Sequence, residues 1–310
     1  MKAIVIKEFG AADKLEISEV DKPQVTDDQV LIRAKAAGIN PVDAKIRSGA
    51  HLSAKTLQLP AVLGKDVSGV IALTGKNVQE FKVGDAVFGC VDKTYAEYVA
   101  ASPELIVKKP ENITFEDAAA VSLAALTAWQ AIHEHLKIRA GQHVLVQSAA
   151  GGVGHLAVQF ARIAGAVVSG TASGRNIGFI KSLGVDQAID YKQEQFETVV
   201  KDLDAVLDTM GGEILYRSIQ CVKPGGTVVC LPSSTKDDPK ALQYAKERGV
   251  SLIWFMMEPK KEHLQKISDL LAAGSLKVTV EKVLPMESIV QAHEEIEAHG
   301  LRGKMVIRIA

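Results

Sequence analysis

The chain has 310 residues, 47% hydrophobic and 24% charged, and its 36 lysines and arginines nearly cancel 37 acids to a formal charge of −1. That length suits about two domains with substantial cores. The near-zero charge gives no electrostatic case for nucleic acid or an anionic membrane as a partner, and no apolar run approaches the roughly 18 residues of a membrane span.

Residues 1 to about 118 read as a β-rich, barrel-like unit. Alternating segments at 2–7, 29–36, 67–73 and 95–99 are separated by Gly, Pro, Asn and Asp punctuation, and 82–89 looks like a turn feeding a strand. At Thr114-Phe115-Glu116-Asp117 the texture changes to a helix start, with threonine as cap and acids in the first turn. The helix is expected over 118–136. His133 and His135, only two apart, fall on different sides of it and read as incidental.

A short apolar run at 144–146 then meets the turn Ala149-Ala150-Gly151-Gly152-Val153-Gly154. A helical pattern follows at once, with apolar residues at Leu156, Val158, Phe160 and Ile163. Strand, glycine turn and helix aim free backbone N–H groups and a helix N-terminus at a pyrophosphate. The turn reads A-x-G-x-x-G, with Ala149 where the dinucleotide fingerprint has its first glycine. Strand-like runs at 166–171, 203–208, 225–231 and 250–257, with helical patterns between several of them, predict a doubly wound parallel sheet and an α/β fold. After Pro259 come an amphipathic helix at 260–273 closed by Gly274, a strand at 277–283, a helix at 286–298 and a last strand at 304–309. This tail is expected to complete the sheet of the first domain.

The cofactor choice is read at the end of the second strand of the dinucleotide domain. A carboxylate about 20 residues past the glycine turn marks NAD by binding the adenine ribose. Ala172 stands there instead, followed by Ser173, which donates a hydrogen bond, and Arg175, which offers a charged fork of donors. That pair favours NADPH; the plainer alternative leaves Arg175 solvated at a helix start. The three cysteines, Cys90, Cys221 and Cys230, include no CxxC pair and favour neither a disulfide framework nor a structural zinc site. The opening MKAIVIKEFG lacks the features of a secretory signal, so a cytoplasmic location is expected.

Six segments in order carry a family resemblance: 37–43 (AGINPVD), 63–69 (LGKDVSG), 81–85 (FKVGD), the Ala149–Gly154 turn, 208–212 (DTMGG) and Gly303-Lys304. Together they resemble the zinc-independent quinone oxidoreductase branch of the medium-chain dehydrogenase/reductase superfamily, nearly end to end. The resemblance implies a GroES-like β-barrel domain for substrate and catalysis over 1–118 and 275–310, and a Rossmann NADPH-binding domain over 119–274. It places Asn40, Lys65 and Leu123 at the ligand positions of the zinc-dependent members, with Asp66 in place of the nearby acid, so no metal is expected. It also sets Tyr191 beside the adenosine phosphate, Lys304 near the pyrophosphate, and Asn40 and Thr127 at the nicotinamide end. The cofactor-binding set is then Asn40, Thr127, Ala149, Gly151, Gly152, Val153, Gly154, Ser173, Arg175, Tyr191 and Lys304.

The expected activity is hydride transfer from NADPH to a quinone or to the β-carbon of an enone. No catalytic residue is named: Asp43, Lys65, Tyr95 and Tyr98 are proton-capable, but Lys65-Asp66 reads better as a structural charged pair and the tyrosines as packing groups. An enoyl-thioester reductase and a catalytically silent NADPH-binding protein stand as alternatives. The apolar run at 250–257 is expected to join two copies edge to edge as a homodimer.

Overall fold

The computed structural model describes residues 1–309. The chain divides into two units, Met1–Leu123 with Pro259–Ala310, and Ala124–Glu258. The first part of the chain supplies β1 (Lys2–Ile6), β2 (Leu15–Glu19), β3 (Val30–Ile39), α1 (Pro41–Arg47), β4 (Ala61–Val62), β5 (Asp66–Thr74), β6 (Ala86–Cys90), β7 (Tyr98–Ala101) and β8 (Ile106–Lys108). The helix α2 (Phe115–Trp129) follows. Its start is the reciprocal cap expected from Thr114 and Asp117: the Asp117 N–H donates to Thr114 Oγ1 at 3.0 Å, and the Thr114 hydroxyl donates to the Asp117 carboxylate at 2.8 Å.

The strand β3 is the spine of this unit and pairs antiparallel with both β5 and β7. Its side chains feed three apolar clusters, Val30, Ile32 and Ala34 in one, Ala37 and Ile39 in another, and Ala36 in a third. That is why VLIRAKAAGI is buried along nearly its whole length instead of alternating cleanly.

The second unit contains β9 (His143–Val146), α3 (Gly154–Ile163), β10 (Val167–Ala172), α4 (Ile177–Ser182), β11 (Gln187–Asp190), α5 (Phe196–Val199), β12 (Leu203–Asp208), α6 (Gly212–Gln220), β13 (Val222–Cys230), α7 (Pro239–Arg248) and β14 (Ser251–Ile253). All six strands are parallel, in the order β11-β10-β9-β12-β13-β14. Counted from β9 this is the doubly wound dinucleotide-binding order, which reverses between β9 and β12. Leu145, Val206, Val228, Leu215 and Ile219 build the core on one face of it.

The tail comprises α8 (Lys261–Ala272), β15 (Val280–Pro285), α9 (Ile289–Glu297) and β16 (Lys304–Arg308). As the pattern implied, β16 returns to the first unit, antiparallel to β3 and parallel to β15.

Three expectations need correction. The helix α8 was expected to close the second domain at 274, but it belongs to the first unit, and the second unit spans Ala124–Glu258. Its Ser268 hydroxyl donates to the Lys108 carbonyl at 3.2 Å, and Asn112 donates to the Leu271 carbonyl at 3.0 Å, so its partners lie around β8. The helix expected over 118–136 is α-helical only to Trp129 and widens into a π-helical turn over Gln130–His135. That turn sets the His133 ring on Trp129 and the His135 ring on Phe255, at 4.2 and 4.1 Å. The strand expected over 250–257 is only Ser251–Ile253. Its ladder ends where β13 runs toward Pro232, which has no N–H to give. The cysteines are all free and buried.

Candidate active site

In the second unit the glycine turn joins β9 to α3 at the carboxyl end of the sheet. Ser148 starts it in the left-handed region, φ 51°. The Ala149 N–H donates to the Thr171 carbonyl at 2.8 Å, and the Gly151 N–H returns to the Ser148 carbonyl at 2.9 Å. Ala149 is tolerated at the first glycine position because the facing residue on β10 is Gly170, where a Cβ would stand 2.8 Å from the Ala149 methyl. Gly154 has no such freedom: a Cβ there would run into the Ser148 carbonyl oxygen and lie 2.9 Å from its carbon. Among the described residues no side chain caps α3. The His155 N–H turns back to the Gly151 carbonyl at 3.0 Å and the Leu156 N–H to the Val153 carbonyl at 3.2 Å, which leaves the N–H groups of Gly152, Val153 and Gly154 for an anion.

Ser173 and Arg175 follow β10, and Tyr191 follows β11. The Ser173 carbonyl accepts the Asn176 N–H at 2.7 Å, and Arg175 is exposed. The Tyr191 N–H is tied to the Ala172 carbonyl at 3.2 Å while its side chain stays 56% exposed. The residues 149–154, Ser173, Arg175 and Tyr191 are therefore gathered along the carboxyl ends of β9, β10 and β11. Thr127 is buried in the part of α2 that belongs to this unit.

Sequence reasoning missed two supports. His155, fully buried, sets a ring nitrogen 2.8 Å from the Gly151 carbonyl and braces the turn. A buried chain also links three strand ends: Thr171 donates to Gln147, Gln147 to Ser218, and Ser218 to Asp208, at 2.7, 3.1 and 3.0 Å. Asp208 then holds the N–H groups of Met210 and Gly211 at 2.8 and 2.7 Å. Asp208-Thr209-Met210-Gly211 was visible as a segment; the Gln147 and Ser218 links needed the fold.

The first unit gathers a second group. Asn40 follows β3, Asp66 opens β5 and Lys304 opens β16, and the pairings Gly38↔Asp66 and Ile39↔Met305 bring all three to one end of the sheet. Asn40 donates Nδ2 to Asp66 Oδ2 at 2.9 Å, and the other Asp66 oxygen accepts the Leu123 N–H at 2.7 Å. Lys304 Nζ donates to the Ile39 carbonyl at 3.1 Å and to Asn40 Oδ1, and lies 3.7 Å from Asp66. Asp43 accepts from the Asn40 N–H and the Tyr95 hydroxyl, both at 2.9 Å. All five residues are at most 3% exposed. Gly38 makes room for the cluster, since a Cβ there would collide with the Ala119 carbonyl and stand 2.9 Å from Asp66 Oδ2.

Burial dominates the titration of these groups. It pushes the Asp43 carboxyl up to about 7 against its hydrogen bond from Tyr95. It raises Asp66 and lowers Lys304, and each opposes the other's shift by its charge. Burial also carries the Tyr95 phenol well above its ordinary value.

The expected Lys65–Asp66 pair does not form. Neighbours on an extended chain point to opposite sides, so Lys65 pairs with Asp92 while Asp66 turns inward to Lys304. Tyr98 stays apart from the cluster, its ring under the Lys22 ammonium at 3.7 Å. Lys304, expected near a pyrophosphate, has its ammonium enclosed with Asn40 and Asp66. The positions expected to replace metal ligands do not fit a divalent ion: Leu123 offers a backbone N–H, Lys65 faces Asp92, and Asn40 already bonds Asp66 with its amide N–H and the Lys304 ammonium with its oxygen. Among the described residues no group of three His, Cys, Asp or Glu side chains is placed to hold a metal.

A family model described as an alcohol dehydrogenase GroES-like domain matches residues 26–111, and one described as a zinc-binding dehydrogenase matches 183–307. The chain is 34% identical over 323 residues to the 2-methylene-furan-3-one reductase of Solanum lycopersicum, covering 99% of this chain and 79% of that protein. It is 32% identical over 325 residues to the quinone oxidoreductase of Homo sapiens, covering 99% and 97%. The chain belongs to the medium-chain dehydrogenase/reductase family. Within it, the solved quinone oxidoreductase from Coxiella burnetii superimposes with a TM-score of 0.95 at 36% identity, over 100% of this chain and 99% of that one. The Escherichia coli quinone oxidoreductase complexed with NADPH does so at 0.91 and 25%, over the full length of both. These relatives set the chain in the quinone oxidoreductase and enone reductase branch of the medium-chain family. No described helix is long and apolar enough to cross a membrane.

Proposed function

We propose that this medium-chain reductase passes hydride from NADPH to a quinone or to the β-carbon of an α,β-unsaturated carbonyl, without a metal. The observation that carries the reading is the ammonium of Lys304 standing among the former ligand positions. Hydride delivery without a Lewis acid suits an acceptor that is already strongly electrophilic, as a quinone or enone is more than a simple ketone. The names of the relatives in tomato and human support the same acceptor classes.

NADPH supplies the hydride when bound. The uncapped first turn of α3, with Gly151, Gly152, Val153 and Gly154, would hold its pyrophosphate. Ser173 and Arg175 would hold the 2′-phosphate, with Tyr191 beside the adenosine. Thr127 and Asn40 would serve the nicotinamide end. Positioning of the two reactants supplies most of the rate, and donors near the acceptor's carbonyl stabilise the developing enolate. The proposal includes a cytoplasmic homodimer joined along β14, which among the described residues pairs on one side only, with β13.

The test is a screen of quinones, short enals and enones, and enoyl thioesters, followed by NADPH absorbance with metal-free protein. Steady oxidation with quinones or enones is expected. Saturable NADPH binding without turnover, or turnover confined to enoyl thioesters, would refute it.

A further inference from the structure

Asn40 is held at both ends of its amide by opposite charges. Lysine only donates and carboxylate only accepts, so Lys304 on one side and Asp66 on the other allow a single orientation, Oδ1 to the ammonium and Nδ2 to the carboxylate. Reversing the amide would set N–H against an ammonium and oxygen against a carboxylate in a site where water does not screen them; Asp66 is fully buried and Lys304 3% exposed. Nδ2 carries two hydrogens. One goes to Asp66, and the second has no partner among the described residues. Asp43 and Tyr95 fix the backbone of the same residue, Asp43 accepting the Asn40 N–H while held by the Tyr95 hydroxyl.

We propose that Lys304 is a positioning residue for the reduction: it locks the Asn40 amide so that its second Nδ2 hydrogen is the donor offered to the carbonyl oxygen of the acceptor. The ammonium also draws electron density from Oδ1, which makes that remaining N–H a stronger donor. In this way a buried side-chain cation supplies, through an amide, part of the polarisation that a metal supplies directly in the zinc-dependent enzymes. Asn40 is the group that touches substrate, and Lys304 acts through it. This rests on the reading of the chain as a hydride-transferring reductase of quinones or enones.

Two variants of the full-length protein separate positioning from mere structural support. Lys304→Met leaves the Asp66 carboxylate buried without a cation and is expected to lower the melting temperature. Lys304→Met with Asp66→Asn removes both charges and is expected to recover most of that loss. If the lysine positions Asn40, kcat falls about tenfold to a hundredfold in both, with acceptor KM and the dissociation constant for NADPH within about twofold of wild type. If the lysine were only structural, the double variant would regain wild-type kcat together with its stability, and the proposal would be overturned.

A second measurement needs no turnover. The Asn40 side-chain amide resonances of isotope-labelled protein, assigned by their loss in Asn40→Ala, are expected to exchange slowly in deuterated water. In the double variant they should exchange at least about tenfold faster; equal exchange would refute the lock. A wild-type protein that binds NADPH but oxidises it with neither quinones nor enones would refute the proposed function, and the exchange measurement would still decide the lock.

Discussion

Gly154→Ala tests whether the glycine turn works through backbone approach. The added Cβ would lie 2.9 Å from the Ser148 carbonyl carbon and 3.0 Å from Ala149 Cα, with the Ser148 oxygen nearer still. All three are backbone atoms, so no rotamer change relieves the clash. Overpacking of this kind costs about 1–3 kcal/mol. Moving the Ser148 carbonyl also loosens the 2.9 Å bond from the Gly151 N–H, worth about 1 kcal/mol. The alanine recovers about 1 kcal/mol as a better helix former. The net expectation is a loss of about 1–3 kcal/mol, together with N–H groups no longer aimed at a common point. Each N–H that no longer reaches the pyrophosphate forfeits a charge-assisted bond worth about 1.5–3 kcal/mol, so NADPH should bind about tenfold or more weakly. Gly178→Ala is the internal control: it lies in α4, a Cβ there meets nothing within 4 Å, and its backbone needs no left-handed conformation. That variant should bind NADPH normally and be as stable as wild type or up to about 1 kcal/mol more so. Thermal melting and a fluorescence titration read both effects. A Gly154→Ala protein that melts and binds like Gly178→Ala would refute the close-approach argument.

Arg175→Ala should weaken NADPH about tenfold or more while leaving NADH almost unchanged, and equal losses for the two cofactors would count against the 2′-phosphate assignment. Asp43 has a native value of about 7 against 3.8 unfolded, so its protonated form contributes stability that is full below about pH 4 and lost as pH rises through about 7. The total is at most about 4 kcal/mol, and Asp43→Asn should therefore lose less stability than wild type between about pH 5 and about pH 8; parallel pH curves would contradict the burial argument. Prolonged chelation should leave turnover intact, and stoichiometric zinc whose removal abolishes activity would overturn the metal-free reading. Light scattering should give about twice the 33.1 kDa chain mass, and Ser251→Pro should shift it toward the monomer, whereas an unaffected dimer would exclude β14 as the seam.

The second unit was the legible one because its signals are local. The residues of β9, the turn and α3 are contiguous, and each β-to-α change of period repeats within a short span. What failed there failed at element ends. How far 250–257 continues as strand depends on the neighbour β13, whose ladder with it ends at Val229↔Ile253, and the widening after Trp129 accompanies ring contacts made with His133 and His135. Neither cause is written in the segment itself.

The cluster in the first unit was half legible for a different reason. Asn40, Asp66 and Lys304 each sit in a recognisable segment, yet the Asn40–Lys304 contact spans 264 positions of sequence and exists only through the registers of β3, β5 and β16. Adjacency along the chain pointed the wrong way: it paired Lys65 with Asp66, whereas the strand's alternation sends one outward to Asp92 and the other inward to Lys304. One sequence signal bore on the inward placement, the glycine at 38, which is required because Asp66 and the Ala119 carbonyl crowd it. A glycine inside a strand marks a close approach without naming what approaches. Here the approaching group is a carboxylate, and its burial is offset by the Asn40 amide, the Leu123 N–H and the Lys304 ammonium 3.7 Å away. The tail's return to β3 is therefore more than completion of a sheet: it delivers, from the far end of the chain, the ammonium that offsets part of the burial of Asp66 and orients Asn40.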